Sequence, residues 1–141
     1  MLIGNNPLNE KPEWFKKNIE IIPQSKHVEV ENKKIKYFIW GDESLPKLIF
    51  LHGFNAHSYW WSHIAPFFNA KYCVVALDFS GMGESEHREE YSQAMYSKEI
   101  KAVVDEMECT KPICLAHSMG GAIAMFSTSI FPDLFSKIIL L

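Results

Sequence analysis

Three short, continuously apolar runs constrain this chain more than any other feature: "KLIFLHG", "YCVVALD" and "PICLAHS". A strand with one wet face alternates apolar and polar residues. An uninterrupted short run suits a strand covered on both faces, as in a parallel sheet. Between the runs lie stretches that read as helices. "SYWWSHIAPFF" separates the first pair, and Tyr91 to Met107 carries apolar residues at 96, 100, 103, 104 and 107, a helical stripe, before the third. "MGGAIAMFSTSIF" then reads as a helix and "KIILL" as a final strand. This alternation predicts an α/β fold, a mostly parallel sheet with helices on both faces.

Ahead of the parallel strands, "HVEVENKKIKYFIWG" predicts an N-terminal antiparallel hairpin. Residues His27 to Val30 alternate, "ENKK" supplies a polar turn, and Ile35 to Trp40 is rich in strand formers. The segment before it differs in character. "KPEWFKKNIEIIP" places Trp14, Phe15, Ile19 and Ile22 at helical spacing. The expected organisation is a docking extension over residues 1–25 and one folded unit over 26–141.

Charge narrows the partners. The formal net charge is −3, Arg88 is the lone arginine, and the lysines are scattered, so no basic stripe predicts a nucleic-acid or lipid-surface partner. The start "MLIGNNPLNEKPEW" lacks the pattern of a secretory signal, and no apolar run approaches the roughly 18 residues that span a bilayer. Cys73, Cys109 and Cys114 show no metal or redox spacing. Reduced thiols, a cytoplasmic location, no metal and no cofactor are therefore expected.

Chemistry-bearing residues fall where an α/β sheet binds ligands, at the carboxyl ends of its strands. "HGF" follows the first apolar run, "DFSGMGES" the second and "HSMGG" the third. A strand that turns at once into a helix needs small neighbours two positions either side of the turn residue, and Ala116 and Gly120 flank Ser118 in this way. Such a turn lifts a serine hydroxyl above the sheet edge beside a helix N-terminus. The competing reading is that Ser118 only caps the helix. Gly53 lets the first loop approach closely, so the backbone N–H groups of Phe54 and Met119 are candidate donors to an oxyanion. "DFSGMGES" fits a dinucleotide loop poorly, since Glu86 stands where a third glycine belongs. Asp78 is read as a shaper of that loop.

Together, "FLHGFNAHSYWWSHIAPFF", "YCVVALDFSGMGES" and "LAHSMGGAIAM" resemble the first half of an α/β-hydrolase-fold protein, in that family's order and spacing. The resemblance covers roughly residues 26–141. It implies a core ending near the sixth strand, with Ser118 as the catalytic nucleophile and Phe54 and Met119 as oxyanion-hole, substrate-binding amides. His52 matches a loop histidine that is usually structural. A serine at the elbow points away from members with an elbow aspartate, such as haloalkane dehalogenases and typical epoxide hydrolases. The implied substrate is a small-molecule carboxylic ester or related acyl compound.

The family's triad runs serine, acid, histidine along the chain. All six histidines (27, 52, 57, 63, 87 and 117) precede Ser118, so a base and its acid partner are expected beyond Leu141. "KIILL" predicts a bare apolar edge strand, through which self-association would occur. The reading is thus of an N-terminal portion of a serine hydrolase. The alternatives are a non-catalytic remnant or binding module, or a hydrolase-fold lyase or acyltransferase. Trp60, Trp61 and Phe54 are candidates for an apolar acyl pocket, with core packing the competing role for both tryptophans.

Overall fold

The three apolar runs become adjacent parallel strands in a computed structural model that describes residues 11–141. In chain order the elements are α1 (Glu13–Ile19), β1 (Gln24–Val30), β2 (Lys33–Trp40), β3 (Lys47–Leu51), two 3-10 helices (Ser58–His63 and Ala65–Phe68), β4 (Cys73–Leu77), α2 (Gln93–Glu106), β5 (Ile113–Ala116), α3 (Met119–Ile130) and β6 (Lys137–Leu140). They build one six-stranded sheet in the order β1-β2-β4-β3-β5-β6. β3 to β6 are parallel, while β1 and β2 form the expected antiparallel hairpin, with β2 antiparallel to β4. Its turn is tighter than "ENKK" suggests. Only Glu31 and Asn32 lie between the strands, both at positive φ, the pattern of a two-residue hairpin turn.

Alternation along each strand sorts the core into two layers. Phe38, Trp40, Leu48, Phe50, Val74 and Ala76 face the 3-10 helices with Trp61 and Ala65. Ile35, Ile49, Leu51, Val75, Leu77 and Cys114 face α2 and α3, where Ile100, Val103 and Ile123 meet them. β4, and β3 beyond Lys47, are apolar because both of their faces are covered. All three cysteines are free thiols, and burial pushes the Cys114 thiol well up.

The expected helix over "SYWWSHIAPFF" is instead the 3-10 pair. Pro66 stands at the start of the second piece, has no N–H to donate back to Ser62, and disfavours helical backbone at Ala65. α1 also stops short of the expected stretch, leaving Ile22 outside it. Residues 1–10 of the expected extension lie outside the described residues, and α1 packs on the 3-10 helices. The Asn18 amide donates to the His63 carbonyl oxygen at 2.9 Å, and the Phe15 ring lies 5.6 Å from that of His63. β1 begins at Gln24, slightly ahead of the expected boundary at 26. β6 is the sheet edge, with Ile139 and Leu140 exposed.

Candidate active site

From β3 the chain crosses to β4 on one side, then returns over the sheet through α2 to β5 on the other. The loops after β3 and β5 therefore diverge at a switch point, where an open α/β sheet forms its crevice. Register brings the chemistry together. Leu51 pairs with both Leu77 and Ala116, so His52, Asp78 and His117 lie in one row just past the strand ends. Ser118 follows immediately.

Ser118 is the strained residue of this row, at φ 51° and ψ −118°. A non-glycine residue held there costs on the order of 1–3 kcal/mol and persists only where its surroundings over-determine it. Three backbone bonds do so. His117 N–H donates to Leu51 O at 3.0 Å, Ser118 N–H to Leu141 O at 3.3 Å, and Leu141 N–H to Ala116 O at 2.9 Å. The Ser118 side chain makes no capping bond to α3 and is exposed, so the simple cap reading fails. The neighbours are tight for the reason the spacing suggested. A Cβ on Gly120 would lie 2.6 Å from His52 O and 2.9 Å from Leu51 O.

The β3 loop leans on the same turn. A Cβ on Gly53 would come within 2.9 Å of His117 Nδ1 and 3.4 Å of Ser118 Cβ. Among the described residues, neither Phe54 N–H nor Met119 N–H has a hydrogen-bond acceptor. Two unspent backbone donors thus lie on the two converging loops.

His52 is buried with both ring nitrogens committed. Nδ1–H donates to Gly53 O at 2.8 Å, and Nε2 accepts from Phe79 N–H at 3.1 Å. It ties the β3 loop to the β4 loop, a structural role. Burial is the main reason that its pKa lies below the ordinary histidine value, against the raising influence of the Gly53 carbonyl and Asp78. The unfolded chain accepts this proton more readily than the folded one. Stability should therefore fall as pH drops below about 6.5, by up to about 1.4 kcal/mol per pH unit from this one group, with no contribution above it. Nitrogen-detected NMR should show the His52 ring neutral, as its Nδ1–H tautomer, when exposed histidines are half-protonated. Titration alongside them would refute the assignment.

Asp78 shapes its loop, as read from the sequence. Oδ1 accepts from Ser58 N–H at 2.6 Å and from the Ser58 hydroxyl, and Oδ2 accepts from Glu84 N–H at 2.8 Å. Gly83, at φ 56°, lies so close that any Cβ would strike the carboxylate. The two tryptophans separate. Trp61 is fully buried against Phe50, whereas Trp60 is 45% exposed, with its ring 5.4 Å from that of His117. Phe54 is 78% exposed. Trp60 and Phe54 therefore remain at the surface, and Trp61 belongs to the core.

None of the described histidines hydrogen-bonds Ser118. His27 lies on β1 at the far side of the sheet, and His87 pairs with Tyr91 Oη at 3.3 Å. Sequence reading missed one feature of the surroundings. Arg88 and Glu99 form a buried ion pair, with Nε donating to Oε1 at 3.0 Å, and Glu99 also accepts from Ser80 N–H in the β4 loop.

Comparison with known proteins agrees with this geometry. A family model described as alpha/beta hydrolase fold matches residues 46–141. Epoxide hydrolase 4 of Mus musculus is 32% identical over 111 residues, which cover 77% of this chain and 31% of that protein. A serine hydrolase-like protein of Mus musculus is 31% identical over 108 residues, covering 73% of this chain and 34% of its own length. Among solved structures, the thioesterase domain from the curacin biosynthetic pathway superposes with a TM-score of 0.80 at 28% identity, over 86% of this chain and 46% of that domain. The chain spans about a third of the length of these curated relatives. With the strand order, the turn at Ser118 and the family match in agreement, the chain belongs to the alpha/beta hydrolase fold family.

Proposed function

We propose that this chain carries the nucleophile and oxyanion site of a serine hydrolase acting on a small-molecule carboxylic ester or related acyl compound. The observation that carries the reading is the strained, exposed Ser118 turn, whose hydroxyl does no capping. Strain of this kind at a residue whose side chain makes no structural bond points to a functional constraint. In this reading Ser118 Oγ attacks the acyl carbon as a base takes its proton, and the Phe54 and Met119 amides hold the oxygen that becomes anionic. Collapse of that intermediate expels the alcohol or thiol and leaves an acyl-serine, which water then cleaves. No described histidine is bonded to Ser118. The base and its acid partner are assigned to the part of the fold that the relatives possess and these residues do not span.

The name of the mouse relative raises epoxide opening as a second reading. The elbow residue argues against it. Attack by Ser118 on an epoxide carbon would leave an alkyl ether on the serine, with no carbonyl for water to enter. Turnover would stop after one event, whereas an acyl-serine is an ester that hydrolyses.

A fluorophosphonate probe tests the assignment. The intact gene product should be labelled at Ser118, located by peptide mass spectrometry, and Ser118→Ala should abolish labelling. A folded protein that stays unlabelled would overturn the proposal. The strain gives a second measurement. Ser118→Gly should be more stable than Ser118→Ala by about 1 kcal/mol in urea denaturation, because glycine accepts positive φ without the penalty.

A further inference from the structure

The fold collects on one face what the sequence keeps apart. α1 turns Asn18 and the half-buried Phe15 toward the 3-10 helices, while Trp14 and Ile19 stay exposed. Trp14 packs on Phe67 with ring centroids 5.5 Å apart, yet the two remain 46% and 60% exposed. Ile21 and the 86% exposed Ile22, which follow α1 in the chain, are exposed as well. A surface helix normally turns its apolar stripe inward, and a contiguous exposed apolar patch marks a contact surface.

The rim is basic. Lys11, Lys16 and Lys17 flank α1, and Lys71 lines a shallow groove beside Phe67. Lys16 pairs with Glu13 at 3.0 Å and Glu20 is the other acidic residue over 11–23, so Lys11, Lys17 and Lys71 leave this face net positive on a chain whose formal charge is −3. Tryptophan, phenylalanine and isoleucine set among lysines suit the boundary between headgroups and acyl chains. Lysine stems lie along apolar surface there while their ammonium groups meet anionic phosphates. Among the described residues no helix is long and apolar enough to cross a membrane. A second copy of the chain fits less well, because two-fold pairing would set the same lysine rim against itself.

We propose that the face formed by α1, Ile21, Ile22 and Phe67 docks on an anionic phospholipid membrane surface. The inference is independent of the chemistry assigned to Ser118. The scattered lysines predict no such partner, and the face exists only once Phe67 and Lys71 are brought to α1.

Co-sedimentation with lipid vesicles tests it, using the whole chain with phosphatidylcholine alone or mixed with phosphatidylglycerol. The chain should pellet with the anionic vesicles, weakly with the neutral ones, and less as salt rises. Changing Lys11, Lys16 and Lys17 together to glutamine should lower partitioning on the order of a hundredfold, at roughly a factor of five per lysine. Ile22→Ser, at an exposed position that leaves the fold intact by circular dichroism, should lower it roughly tenfold. Three results would overturn the proposal: a folded chain that ignores anionic vesicles, equal binding to both lipid compositions, or a dimer in sedimentation velocity that Ile22→Ser dissociates.

Discussion

Replacing Arg88 by alanine is expected to lower folding stability by about 3–5 kcal/mol, because it strands a buried carboxylate. The Arg88 and Glu99 side chains are 7% and 0% exposed, so neither can turn to water without local unfolding. Arg88 Nη2 also donates to Val30 O at 2.8 Å. The guanidinium thus joins the hairpin, the β4 loop and α2 at one point. Burial pushes the Glu99 carboxyl up from its ordinary pKa, and hydrogen bonds from Ser80 and Arg88 draw it back only in part. A raised folded pKa favours the fold below the unfolded value and loses that advantage as pH rises through the folded one. Without the guanidinium the folded pKa climbs further. The deficit of Arg88→Ala should therefore be largest at neutral pH and shrink on acidification. The double variant Arg88→Met with Glu99→Leu should recover most of the loss, since it leaves no charge behind. Urea denaturation of the three variants at two pH values decides the matter. A deficit under about 1 kcal/mol would show that the pair behaves as an exposed one.

The second large effect is expected at Gly120. Alanine there would press its methyl group against two backbone oxygens, and backbone cannot rotate out of the way as a side chain can. One of these, Leu51 O, already accepts from His117 N–H. A loss of about 1–3 kcal/mol or more is expected, with the β3 loop displaced from the Ser118 turn. Gly121→Ala is the internal control. Its new Cβ would meet chiefly Leu140 Cδ2, at 3.1 Å, and alanine gains about 1 kcal/mol of helix propensity. Near-neutral stability at 121 beside a clear loss at 120 is the expected pattern. Equal effects at the two positions would show that close backbone approach is not what Gly120 provides.

The sheet was legible because strands covered on both faces must be apolar, and β4, and β3 beyond Lys47, are written that way. The turn at Ser118 was legible from steric spacing, since small residues at 116 and 120 have a local cause that a sequence displays. His52 and Asp78 took the structural roles expected of them. Other features depend on tertiary placement, which no local pattern encodes. Trp60 and Trp61 are neighbours of the same type, yet one packs on Phe50 and the other stays beside His117. Nothing in the sequence singles out Arg88 and Glu99 as a pair, and only the path of the β4 loop over α2 buries them together. The 3-10 geometry between Ser58 and Phe68 had a signal in Pro66, which the aromatic run overshadowed.

The bond from Ser118 N–H to Leu141 O gives the turn at Ser118 an order of assembly. Chains are made from the amino terminus, and folding during synthesis follows what has already emerged. The helix that follows Ser118 is complete in sequence before the residue that pins Ser118 from behind has been added. The strained conformation therefore has no reason to hold early. Until Leu141 arrives the serine is free to relax, so the turn would take its strained shape only when the sixth strand docks.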